Sequence, residues 1–131
     1  MKNIEGIVWE KLKPHLKNDS MENWVKELFS DCFSYSIPSF WDSIVADLVY
    51  IMYKRQQELT SVKVVQVKIK FGGLRFYTSG QDDFVNGAIY LAESQCLKIC
   101  TNCGSYGQTK LNTGRWNAGC VLCADTSFEM T

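Results

Sequence analysis

The chain has 131 residues, 46% of them hydrophobic and 13% aromatic, with 14 Lys/Arg against 14 Asp/Glu. That composition can fill one core, excludes an intrinsically disordered chain, and argues against an overall electrostatic grip on nucleic acid. The charge is uneven, because residues 62–78 carry four Lys/Arg and no Asp/Glu while the segments on either side are mildly acidic.

Near the start, Lys2, Glu5, Glu10, Lys11 and Lys13 interrupt any apolar run, so no secretory signal is expected. The longest apolar stretch, IVADLVYIMY, contains Asp47 and is about half a membrane span. These features predict a cytoplasmic protein with no membrane segment.

In chain order, Ile4, Val8 and Leu12 predict a short helix over 4–17, with Pro14 leaving its end open. A second helix is expected from Asp19, with Glu22 at capping-box spacing and Trp24, Val25, Leu28 and Phe29 as its apolar stripe. Ile37-Pro38 breaks the pattern. The strongest helix is predicted over Ser39–Leu59, with Ser39 and Asp42 as a second capping box. Phe40, Trp41, Ile44, Val45, Leu48, Val49 and Met52 recur there at helical intervals.

From Val62 the period changes to two. Val65, Val67, Ile69 and Phe71 are expected on one face, and Gln66, Lys68 and Lys70 on the other. Val62 and Val64 fall out of phase, which predicts a bulge or bend at Val64-Val65. Gly72-Gly73 suits a tight hairpin turn. Leu74, Phe76 and Thr78 then return on one face, with Arg75 and Tyr77 on the other. Asp82-Asp83 reads as a cap before a helix over 83–97 that turns Phe84, Ala88, Leu91 and Ala92 inward.

The chemistry-bearing motif is CTNCGSYGQTKLNTGRWNAGCVLC. Cys100 and Cys103 form one C-x-x-C pair and Cys120 and Cys123 a second, with sixteen residues between the pairs. Two such turns bring four thiolates around one ion, the spacing of a tetrahedral Zn²⁺ site. QTKL and RWNAG are expected as two strands around the turn NTG, forming a zinc ribbon over 98–125. Iron in a rubredoxin-like site is the rival metal, and a redox dithiol would leave the second pair unexplained. Four thiolates close the coordination sphere, so the metal is expected to be structural. Cys32 and Cys96 are expected as small buried apolar side chains.

Catalytic constellations are sparse. His15 is the only histidine and is expected at the surface. Gln66-Val67-Lys68 is similar to a nuclease strand element, but residues 62–78 offer no carboxylate to hold Mg²⁺. The chain is therefore not expected to be an enzyme. Lys68, Lys70, Arg75 and Tyr77 on the hairpin, with Arg115 and Trp116 on the ribbon, are the candidate contact residues. Cations with aromatics serve protein interfaces and, less favourably on a neutral chain, nucleic acid. The plainer reading of those lysines is the wet side of a half-buried hairpin.

The segment from Val62 to Ala124, with VVQVKIKFGGLRFYTSG, then AIYLAES, then the two C-x-x-C pairs, resembles a widespread set of small bacterial and phage proteins. In that set a KEKFGGLRFY-type hairpin precedes a short helix and a C-terminal zinc-ribbon-like cysteine cluster. Ile69 stands where the set often has an acidic residue, and Cys123 where many members carry a histidine or a degenerate pair. Most of the set lacks an assigned activity. The resemblance implies a toxin-neutralising immunity role as one function. The expected architecture is thus α+β: residues 1–97 as N-terminal helices packed on a β-hairpin and followed by a helix, then the zinc ribbon.

Overall fold

Pro14 marks the first boundary. Helix α1 (Ile4–Leu12) ends as the chain tightens into a 3₁₀ turn over Lys13–His15 with the proline in its first positions, where a missing N–H costs nothing. The computed structural model describes residues 4–16, 19–55 (Asp19 by its backbone), 61–70 and 72–99, and the backbone alone of 108–112 and 115–119. Helix α2 spans Glu22–Leu28, strand β1 Ser34–Ser36, helix α3 Asp42–Lys54, strands β2 and β3 Lys63–Lys70 and Gly73–Ser79, and helix α4 Asp83–Cys96. Two further strands, β4 (Gln108–Asn112) and β5 (Arg115–Gly119), pair antiparallel in a second sheet. The class is α+β. Among the described residues it comprises four α-helices, a three-stranded sheet of order β1-β2-β3 and the separate β4–β5 pair.

The main sheet is one strand wider than expected. β1 runs parallel to β2, pairing Ser34 with Gln66, Tyr35 with Val67 and Ser36 with Lys68. The β2–β3 hairpin is antiparallel and its register shifts between Val64 and Gln66, which is the predicted bulge. Val65 is the extra residue, and its carbonyl accepts the Phe33 N–H at 3.0 Å at the entry to β1. The bulge also corrects the expected buried face. Val62, Val64 and Val67 are buried with Leu74 and Phe76, whereas Val65 is only half-buried and Ile69 is 42% exposed. One inserted residue inverts the phase of everything before it, and Ile69 lies near the hairpin tip, beyond the core. Phe71 lies outside the described residues.

Gly72 adopts a φ of 75° in the two-residue turn, the conformation that favours glycine. Gly73 is buried, and a Cβ there would stand 3.1 Å from Leu97 Cδ2. The second glycine of the pair thus admits the end of α4 over the hairpin.

3₁₀ turns over Asp19–Met21 and Ser39–Trp41 lead into α2 and α3. The capping box expected at Ser39 is replaced by such a turn with no side-chain cap bond, while the capping side chain of Asp19 lies outside the described residues. Glu22 pairs with Lys26 at 2.8 Å. Asp42 is buried and accepts the Tyr35 hydroxyl at 3.0 Å. The cap predicted at Asp82 is present: its carboxylate accepts the Val85 N–H at 2.9 Å and the Arg55 guanidinium at 2.6 Å.

The core forms where the helices meet one face of the sheet. Trp41, Phe29, Leu12, Met21, Met52 and Leu74 are fully buried. Phe29 is central, with its ring edge-on to Tyr35 at 6.2 Å and to Phe76 at 6.5 Å, a favoured aromatic arrangement. Lys63 fastens the start of β2 to the end of α2. Its ammonium donates to the Glu27 carbonyl at 2.9 Å, to Ser30 Oγ at 3.2 Å and to the Glu27 carboxylate, a cation at a helix's negative end.

Helix α4 differs from expectation by one position. Val85, Ile89, Ala92 and Cys96 face inward, while Phe84 and Leu91 are exposed and Ala88 is half-buried. Both sets have helical spacing. The inward set reaches Cys96, a full turn beyond Ala92.

Candidate functional site: the outer face of the sheet and the cysteine-bearing segment

Strand alternation sets the outer face of the sheet. Opposed residues in an antiparallel ladder share a side, so Gln66 and Tyr77 form one row and Lys68 and Arg75 the next. β1 extends these rows with Ser34 and Ser36. Lys70, across from Gly73, ends the face at the turn. The predicted grouping of Lys68, Lys70, Arg75 and Tyr77 on one face is therefore present in the register. Ser34 and Ser36 are members that the sequence reading missed, because a three-residue Ser-Tyr-Ser strand carries no hydrophobic alternation.

The electrostatics of this face are one-sided. The face holds Lys68, Lys70 and Arg75, and no strand of the sheet holds Asp or Glu; the remaining strand cation, Lys63, is paired with Glu27. Lys68 and Arg75 stand directly across from each other. The Phe76 N–H points out of the ladder, donating to Glu93 Oε2 at 3.1 Å. Alternation then makes Lys68–Arg75 a hydrogen-bonded pair, with Cα atoms about 5.5 Å apart. Arg75 turns its Nη1 back to the Leu74 carbonyl at 3.2 Å. Like charges directly opposed in a sheet are destabilising. Tyr77, 40% exposed, adds an aromatic surface beside them.

Arg115 and Trp116 stand on β5, opposite Asn112 and Leu111, in the separate two-stranded sheet. The antiparallel β4–β5 pair matches the strands expected around NTG. Cys100, Cys103, Cys120 and Cys123 lie outside the described residues. The backbone pairing bears on their fit to a metal. Gln108 pairs with Gly119 at the open end of this hairpin. Cys103 lies five residues before Gln108 and Cys120 follows Gly119 directly. Both cysteine pairs therefore join the chain at the same end of the hairpin, and the donor set suits Zn²⁺.

The other two cysteines are core residues, as expected. Cys96 is fully buried, and burial, with Glu93 adding its charge, pushes its thiol up to about 12. Burial also raises Cys32, whose thiol donates to the Ser34 carbonyl at 3.3 Å. His15 is exposed, as expected. Asp42 is the one charged side chain buried among the described residues. Burial raises its carboxyl above the usual range, opposed by the Tyr35 hydrogen bond and the charges of Lys11 and His15. Burial, then Asp42, raises the Tyr35 hydroxyl as well. This pair ties β1 to the start of α3.

No helix among the described residues is long and apolar enough to cross a membrane. Comparison with family models, with curated proteins and with solved structures gives no match to the chain.

Proposed function

We propose that the chain is a non-catalytic, cytoplasmic binding protein of immunity type. Cys100, Cys103, Cys120 and Cys123 hold a structural Zn²⁺, and the outer face of the main sheet docks an acidic protein partner, a bacterial toxin that it covers and neutralises. The observation that carries the docking surface is the Lys68–Arg75 opposition on a sheet with no carboxylate in any strand. The chain retains an arrangement that weakens its own hairpin, and a partner's carboxylates would turn that arrangement into a favourable one. The toxin reading is supported by the resemblance of the KFGGLRFY hairpin and the cysteine pairs to small bacterial and phage proteins.

The non-catalytic reading rests on the sequence: a single histidine, and four thiolates that close a zinc sphere with no position for an activated water. Bound zinc would fold the ribbon and supply no reaction step.

A second reading, nucleic-acid binding, is favoured by Tyr77 lying on the same face as Arg75 and Lys68, a cation-and-stacking arrangement. Salt separates the two. An immunity-type complex is one-to-one and survives moderate salt. A nucleic-acid complex loses about 10³–10⁵ in affinity from 50 to 200 mM salt if it uses six to ten phosphate contacts, and correspondingly less with the cations of this face, Lys68, Lys70 and Arg75. A pull-down at moderate salt that recovers only nucleic acid defeats the proposal.

A further inference from the structure

The side of α4 opposite its core face carries side chains that are wholly or partly exposed among the described residues. Tyr90 is 75% exposed, Leu91 57%, Phe84 51% and Leu97, in the turn ending the helix, 36%. Asp83, Gly87 and Lys98 are also exposed, and Ser94 is half-buried. At 100° per residue these eight positions fall within an arc of about 140°, centred opposite the Val85–Ile89–Ala92–Cys96 stripe. Backbone bonds from the Lys98 N–H to the Gln95 carbonyl and from the Ile99 N–H to the Cys96 carbonyl continue the helical path through Lys98.

The order of residues along this face is symmetric. About the midpoint between Tyr90 and Leu91, Asp83 is matched by Lys98, Phe84 by Leu97, Gly87 by Ser94, and Tyr90 by Leu91. An isologous two-fold contact about this midpoint brings each residue onto its match, since residue i meets residue j and j meets i. An antiparallel second copy would place acid against base at both ends, about 22 Å apart. It would set aromatic against aliphatic in the next layer, small against small nearer the axis, and the two most exposed side chains at the centre. Arg55 lies over the Phe84 ring at 4.3 Å, which orders that ring in advance.

Gly87 supplies an independent observation. A Cβ at this position meets nothing within 4 Å, so the protomer's packing does not call for a glycine. A glycine inside a helix is less favourable than alanine. Close approach of a neighbouring helix accounts for it.

We propose that this face of α4 is a homodimer interface, with two copies pairing α4 against α4 antiparallel about an axis between Tyr90 and Leu91. The surface is distinct from the basic face of the sheet, so the dimer and the partner complex are independent. One helix pair is small for a specific interface, and the dimer dissociates on the order of micromolar concentrations or weaker.

The test is sedimentation equilibrium of the full metal-loaded chain over roughly 1 μM to 1 mM. The expected result is a monomer–dimer equilibrium that Tyr90→Arg weakens at least tenfold with an unchanged far-ultraviolet dichroism spectrum. Gly87→Ala should raise the thermal midpoint of the dilute monomer while weakening the dimer several-fold. Asp83→Lys and Lys98→Asp should each weaken self-association, and an equimolar mixture of the two should restore it, because each copy then supplies the charge that the other lacks. A monomer throughout the series overturns the proposal. So does a dimer indifferent to Tyr90→Arg and to mixing, or hydroxyl-radical footprinting that finds Tyr90 shielded in the dilute monomer by residues 100–131 of its own chain.

Discussion

Replacing Lys68 by glutamate should stabilise the protein while abolishing its proposed activity. In the native ladder Lys68 faces Arg75 across a hydrogen-bonded position. Directly opposed opposite charges contribute about 0.2–1 kcal/mol, and like charges are unfavourable by a similar amount. Converting one into the other is worth about 0.5–1.5 kcal/mol. With an unfolding entropy of about 2.1 cal/mol/K per residue, a chain of 131 residues converts 1 kcal/mol into about 3–4 °C. Lys68→Glu is therefore expected to raise the thermal midpoint by about 2–5 °C in low salt. The gain should shrink toward 1 M salt, where the screening length falls to about 3 Å. Differential scanning calorimetry at two ionic strengths measures both quantities. A midpoint that falls, or a gain insensitive to salt, would refute the claim that Lys68 and Arg75 oppose each other without compensation.

Other outcomes follow from the buried groups and the cysteines. Thiol titration of the metal-loaded folded chain should find none of the six cysteines reactive, metal removal should release four, and denaturation should release the remaining two, Cys32 and Cys96. Reaction of Cys96 in the native protein would contradict its burial and its raised thiol. Asp42→Asn should retain the fold, since an amide oxygen also accepts from Tyr35. The native carboxyl is raised by burial, so it favours folding below its unfolded value of 3.8 and that contribution is lost as pH rises through the folded value. The variant should therefore gain on the wild type as pH rises from 3 to 7 in urea melts. Asp82 has the opposite sign. The Val85 N–H and then Arg55 hold its carboxyl below 3.8, so Asp82→Asn, which keeps the cap and loses the ion pair, should be less stable near neutrality. That difference should close as pH falls below 3.8.

What was legible in the sequence was whatever a local signal could carry. The phase slip at Val64-Val65 marked the bulge, Asp82 marked the start of α4, and two Gln/Arg-led segments around NTG marked β4 and β5. β1 was illegible because its only definition is a parallel partner thirty-two residues away. The inward face of α4 was ambiguous because two apolar stripes one residue apart both fit a helix, and only packing against β3 chooses between them. Glu22 and Asp42 have the spacing of caps, but nearby partners, Lys26 and Tyr35, compete for them. The basic face combined both kinds of information. Its residues follow from alternation, whereas the direct opposition of Lys68 and Arg75 required the register.

The most direct test of the proposed function compares capture by the wild type and by Lys68→Glu from the same lysate at moderate salt, followed by protein and nucleic-acid analysis of the eluates. The account predicts one protein at one-to-one stoichiometry on the wild type and its loss from the more stable variant. Nucleic acid alone on the wild type, or the same protein retained equally by both, would contradict it.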